Sequence, residues 1–71
     1  NIVYYQQLAK AYWQSGDWKN TLNICQAGLQ NADHRDLYLL HQAYLICQAQ
    51  GDEVQAESYR NQIFGNFYGS V

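Results

Sequence analysis

The 71-residue chain contains no proline and no methionine, only two cysteines, and no long apolar run. A membrane-spanning helix requires roughly 18 consecutive apolar residues, so the sequence predicts no membrane partner. Two cysteines are too few for the disulfide framework of a small secreted domain. Because a reducing compartment keeps such thiols free, we expect a cytoplasmic protein.

Charge is also scarce. Asp, Glu, Lys and Arg make up 14% of the residues, and the formal net charge is −2. The basic residues are well separated in the sequence: Lys10, Lys19, Arg35 and Arg60. Nucleic acids and anionic membranes bind clustered Lys and Arg, so we expect neither as a partner. Amides supply much of the polarity instead, since ten Gln and six Asn outnumber the charged residues.

The hydrophobic content is sufficient for a folded domain. Hydrophobic residues make up 48% of the chain and aromatic residues 15%, which is too rich for a disordered segment. The chain is nevertheless shorter than the roughly 100–200 residues of an ordinary domain. It also begins with Asn rather than Met. We therefore expect residues 1–71 to form a single small domain that was excised from a longer protein.

Four stretches show the i, i+3, i+4, i+7 apolar spacing that is typical of amphipathic helices. They cover residues 2–14, 18–30, 37–50 and 53–64, and no segment alternates with the period of a strand. Gly16-Asp17 and Gly51-Asp52 each separate two of these stretches. Glycine in the left-handed conformation ends a helix, and an aspartate caps the next one. Asp33 or Asp36 would cap the third helix, and the sequence leaves that choice open.

The prediction is therefore an all-α fold of two tandem helix–turn–helix hairpins, with four antiparallel helices. The two Gly-Asp pairs lie 35 residues apart. A helical hairpin that repeats at such an interval is the signature of a helical solenoid.

At these positions the chain resembles the tetratricopeptide repeat family. The first unit, about residues 2–35, carries residue types of that pattern at Tyr5, Leu8, Ala9, Tyr12, Gly16, Asp17, Trp18, Leu22, Gly28 and Leu29. In the pattern, the small residue at Gly28 allows neighbouring helices to approach closely. The second unit, about residues 36–68, is degenerate, with Tyr44 at a normally small position and Cys47 at a tyrosine position.

The resemblance implies an α-solenoid fragment that binds a protein or peptide without catalysis. In the family, the first helix of each unit lines the concave binding face. On this sequence that face comprises Gln6, Lys10, Trp13, Gln14, His41, Leu45 and Gln48. Hydrophobic anchors surrounded by amides suit an extended peptide or a helix as the ligand. The other interpretation of Trp13 is that it covers the core of a marginal domain.

Two other functions fit a helical repeat. The first is a structural or regulatory segment of a larger protein, which has no ligand of its own and packs against neighbouring repeats or a second copy. The second is an RNA-binding array of the pentatricopeptide class, whose repeats have the same length. Two acidic units lack the charge and the length that such an array uses.

The ends of the solenoid form a second candidate surface. Two units leave hydrophobic faces open unless a polar helix covers them, and we see no such helix in the sequence. We expect an exposed end at Ile63, Phe64, Phe67 and Tyr68, and a chain that frays from residue 65 to residue 71. A second copy of the chain, or flanking repeats, would cover this end.

Cysteine and histidine are the residues that would carry metal binding or nucleophilic chemistry. Cys25 and Cys47 lie 22 residues apart, unlike zinc ligands, and both fall on core-facing stripes. We expect both thiols to be buried and unreactive, and His34 and His41 to face solvent. No nucleophile, base and orienting group converge in the sequence. The sequence therefore predicts no metal, no cofactor and no enzymatic activity.

Overall fold

The computed structural model describes residues 1–67, which form four α-helices and no strand. The helices are α1 (Ile2–Gln14), α2 (Trp18–Asn31), α3 (Leu37–Ala49) and α4 (Glu53–Phe67). Each helix packs against the next one in the chain, and α3 also contacts α1. The starts of α1 and α3 differ by 35 residues, as do the starts of α2 and α4. The predicted all-α fold of two helical hairpins is confirmed.

Both hairpins turn in the same way. Gly16 and Gly51 have φ angles of +79° and +77°, in the left-handed region that glycine enters without steric cost. The Gly16 amide donates a hydrogen bond to the Trp13 carbonyl, and the Asp17 amide donates one to the Tyr12 carbonyl, both at 3.0 Å. Gly51 and the aspartate after it form the same two bonds at 3.1 and 2.9 Å. This pattern is the Schellman ending of a helix, so both predicted corners are confirmed.

Aspartates cap the three helices that follow a connection. The carboxylates of Asp17 and Asp52 each accept a hydrogen bond from the backbone amide three residues later, both at 3.2 Å. Asp36 does the same for α3 at 3.0 Å. These bonds satisfy amides that have no partner within the helix. Of the two aspartates that the sequence left open, Asp36 is the cap, whereas Asp33 accepts a hydrogen bond from the Arg35 amide at 2.9 Å.

All four helices contribute to the core. Its buried side chains are Ala9, Thr21, Cys25, Leu29, Leu39, Leu40, Ala43, Ile46, Cys47 and Ala56. The helices approach most closely at Gly28. A Cβ atom added there would lie 2.6 Å from Leu39 Cδ1 and 2.8 Å from Tyr5 Cβ. Glycine is therefore required where α1, α2 and α3 meet, as the resemblance implies.

The end of α4 differs from the sequence prediction. The helix continues to Phe67 instead of ending near Phe64. Gly65 does not adopt a positive φ, so it does not form the left-handed ending that Gly16 and Gly51 form. The prediction that the chain frays from residue 65 was therefore wrong for residues 65–67. Its remainder falls on residues that the structure does not describe.

Candidate protein-binding surface

Three residues of the predicted binding face line two depressions beside α1 and the start of α3: Gln6, Lys10 and His41. The larger depression has a volume of about 640 Å³ and is lined by Gln6, Asp36, Leu37, Tyr38 and His41. The smaller has a volume of about 240 Å³ and is lined by Gln6, Gln7, Lys10 and Tyr38. Because Gln6 and Tyr38 line both, the depressions adjoin. We call them together the α1–α3 groove.

A single carboxylate organises this groove. Asp36 Oδ1 accepts a hydrogen bond from Gln6 Nε2 at 2.8 Å, while Oδ2 accepts the capping bond from the Leu39 amide at 3.0 Å. Hydrogen bonds to an ionised acceptor are stronger than neutral ones, so this pair ties α1 firmly to the first turn of α3. Gln6, predicted as a contact for the partner, thus also positions the groove.

Leu37 and Tyr38 give the groove its apolar surface. Leu37 is the first residue of α3, and its hydrophobic side chain is 47% exposed. Tyr38 is partly buried and packs against the core. Burial, with a smaller contribution from Cys25, raises the pKa of the Tyr38 hydroxyl above its usual value, so the hydroxyl stays neutral. Sequence reasoning missed both residues, although Tyr38 lies one helical turn before His41 and shares its stripe.

Four predicted binding residues lie outside the groove linings. Trp13 is 45% exposed, Gln14 is exposed, and Leu45 is partly buried. Gln48 donates a hydrogen bond from Nε2 to the Tyr44 hydroxyl at 3.0 Å and lines a separate depression beside α4. The predicted face is thus divided between the groove and surfaces further along α1 and α3. Binding of a partner by any of these residues stays a prediction.

The predicted exposed end differs in part from the structure. Ile63 is partly buried and packs against the core, because it lies on the stripe of α4 that faces the other helices, so its expected exposure was wrong. Phe64 is 48% exposed, and the Arg60 guanidinium lies over its ring at 5.8 Å from the centroid, a cation–π contact. Phe67 is the last residue of α4. Tyr68 lies outside the described residues.

The two cysteines are free and buried, as predicted. Burial, with a smaller contribution from Asp36, raises the pKa of the Cys25 thiol to about 12. Burial also raises the pKa of the Cys47 thiol. The thiolate is the reactive form, so both side chains are poor nucleophiles near neutral pH. His34 and His41 are exposed, as predicted.

The described residues offer no metal site of the usual kind. Within residues 1–67, no group of three His, Cys, Asp or Glu side chains is arranged to hold a metal ion. Over the same part of the chain, none of the helices combines the length and the apolar character needed to cross a membrane.

Known proteins provide no relative from which a function can be transferred. No protein-family model matches the sequence, and no curated protein or solved structure matches the chain.

Proposed function

We propose that this protein is a non-catalytic, tetratricopeptide-like interaction module that binds an extended segment or a helix of a partner protein in the α1–α3 groove. The observation that carries this proposal is the pair of adjoining depressions of about 640 and 240 Å³. The larger volume falls within the roughly 300–1,000 Å³ of typical binding pockets, and the smaller depression extends it along α1. The groove also combines apolar surface with a few polar groups, as binding sites usually do.

The side chains around the groove match the chemistry of a polypeptide ligand. Leu37 and Tyr38 offer apolar contact to a side chain of the partner. Gln7, an exposed amide, both donates and accepts hydrogen bonds and so suits the backbone of a peptide. Lys10 brings an ammonium group to the groove lining, and His41 brings an imidazole. Asp36 also lines the groove, where each of its carboxylate oxygens accepts one hydrogen bond from the protein.

The states of the cysteines support a binding role rather than catalysis. Cys25 and Cys47 are buried, and their pKa values are raised, so neither is suited to attack a substrate. Free thiols also suit a reducing compartment, and we propose a cytoplasmic location on that basis.

The test is a selection of binding peptides against the complete chain. A displayed library of random peptides is enriched on the wild-type protein, and the affinities of the selected peptides are then measured in solution. We expect His41→Ala to weaken binding by fivefold or more, since loss of an interface anchor costs about 1 kcal/mol or more. The same peptides should also lose affinity for Lys10→Ala.

The chain supplies a matched control in its other histidine. His34 is also exposed but lies in the connection between α2 and α3, outside the groove, so His34→Ala should bind the peptides as the wild type does. Both variants should retain the wild-type urea midpoint, because both side chains are exposed. If no peptide is enriched, or if His41→Ala and Lys10→Ala bind as tightly as His34→Ala, the groove is not the binding site. That result would favour a segment that only packs against other parts of a larger protein.

A further inference from the structure

The first hairpin shows how one unit accepts the next. Helix α3 packs against α2 and also contacts α1. Ala9 of α1 and Thr21 and Cys25 of α2 are all 0% exposed. The one polar side chain among them is satisfied, because the Thr21 hydroxyl donates a hydrogen bond to the Asp17 carbonyl at 2.8 Å. These positions of the first hairpin therefore carry small side chains and are closed to water.

The second hairpin presents different side chains at the corresponding positions. With the 35-residue offset between the hairpins, Ala9 corresponds to Tyr44, and Cys25 corresponds to Arg60. Leu22, which packs against the core, corresponds to the exposed Glu57. These residues line an open depression of about 410 Å³ between α3 and α4, together with Gln48, Gly51, Glu53 and Ala56.

Charge gives this depression its character. Arg60 Nη2 lies 3.3 Å from Glu57 Oε1, and the two side chains are 51% and 56% exposed. The Arg60 guanidinium also covers the ring of Phe64. A helix that packed here as α3 packs on α2 would remove both charges from water, and the attraction between buried ions often fails to compensate for that loss. The bulk of Tyr44 would add a steric obstacle at a position where the first hairpin has alanine.

The other exposed side chains of α4 are mostly polar, with Val54 and Phe64 as exposed hydrophobic exceptions. The polar side chains include Gln55, Ser58, Asn61 and Gln62. A polar outer face is the property of a terminal helix that closes a stack of repeats.

From these observations we infer that the second hairpin closes the stack: the surface formed by α3 and α4 remains in solvent and does not accept a further helical hairpin in the way that the first hairpin accepts α3. The inference does not depend on the α1–α3 groove, which lies elsewhere on the molecule. If the chain associates through Ile63 and Phe64, as the sequence predicts, the inference implies that this association does not extend the solenoid.

The experiment uses two complete chains joined head to tail. In both tandem proteins, the second copy carries Tyr4→Leu and Ala11→Ile, so that its α1 presents the counterparts of Leu39 and Ile46, which are buried in α3. One tandem keeps the native side chains of the α3–α4 depression in its first copy. The other carries Tyr44→Ala, Glu57→Leu and Arg60→Cys there, which reproduce the side chains of the first hairpin. The urea m-value measures the surface exposed in one cooperative transition.

For the tandem with the native α3–α4 depression, the inference predicts an m-value equal to that of a single chain. For the tandem that carries the substitutions, it predicts an increase of about twofold. A twofold increase in the m-value of the tandem with the native α3–α4 depression would overturn the inference, because it would show that the second hairpin does accept a neighbour. No increase in either tandem would show that these side chains do not close the stack, and would overturn it too. If the grafted chain fails to fold alone by circular dichroism, Glu57→Leu/Arg60→Cys replaces the triple substitution.

Discussion

The two hairpins share a backbone geometry but differ in the side chains that face outwards. Gly16 and Gly51 have nearly equal φ angles, and the hydrogen bonds around them correspond one to one. In contrast, Cys25 of the first hairpin is fully buried, whereas its counterpart Arg60 is exposed in an ion pair. The geometry of a hairpin is thus set by local corner residues. Its outward polarity instead depends on whether another helix covers it.

Exchanging the two counterparts is the strongest test of this comparison. Cys25→Arg places a charge at a position with 0% exposure. Removal of an unpaired charge from water costs several kcal/mol, so we expect a loss of about 4 kcal/mol or more, which is comparable to the whole stability of a small domain. Circular dichroism should show a largely unfolded chain at 25 °C.

The reverse exchange is the matched control. Arg60→Cys removes one partner of an exposed ion pair, and such pairs contribute little. We expect its free energy of unfolding, from urea titration, to lie within about 0.5 kcal/mol of the wild type. A folded Cys25→Arg variant of near wild-type stability would mean that α3 does not seal this position, and the distinction between the two hairpins would be lost.

A second comparison concerns the glycine in the second helix of each hairpin, Gly28 in α2 and Gly65 in α4. A Cβ atom at Gly28 would collide with the Tyr5 side chain, whereas one at Gly65 would have no atom within 4 Å. We expect Gly28→Ala to destabilise the fold by about 1–3 kcal/mol through overpacking. Gly65→Ala should instead stabilise it by about 0.5–1 kcal/mol, because alanine favours the helix.

Urea denaturation of both variants measures these opposite signs directly. The matched pair separates packing from helix propensity, since both substitutions add the same methyl group to a helix. If Gly28→Ala were neutral or stabilising, α1 and α3 would not approach α2 as closely as the structure shows. A destabilising Gly65→Ala would place an additional contact at the end of α4.

The sequence was sufficient to predict the features that depend on neighbouring residues. The corner at Gly16 depends on the conformation of one glycine and a cap one residue later, and the helix boundaries there follow from the same signals. The end of α4 was not predicted correctly, because Gly65 is the same residue type as Gly16 but the helix continues through it for two more residues, to Phe67. Only its φ angle separates the two cases.

The groove was less predictable because it depends on tertiary contacts. Gln6, Lys10 and His41 were predicted from the family resemblance, which places the first helix of each unit on the binding face. Leu37, at the start of α3, also lines the groove but was not among the predicted residues. The hydrogen bond between Gln6 and Asp36 joins residues 30 positions apart, so no local sequence pattern predicts it. The partial burial of Ile63 likewise results from packing rather than from its position near the end of the chain.

The smallest difference between the hairpins is expected at the corners, where the two should be indistinguishable. Alanine at Gly16 or Gly51 would hold a side chain in the left-handed region, which costs about 1–2 kcal/mol. Neither position has an atom within 4 Å of an added Cβ, so steric contacts do not distinguish the two corners. Backbone strain and the lower entropy of the unfolded chain act equally at both. We therefore expect equal losses in free energy of unfolding for Gly16→Ala and Gly51→Ala. Asparagine, which tolerates this conformation better, should recover part of each loss. Losses that differ by more than about 0.5 kcal/mol would show that one corner is supported by contacts that the other lacks, since exposed sites without such features vary by less than that.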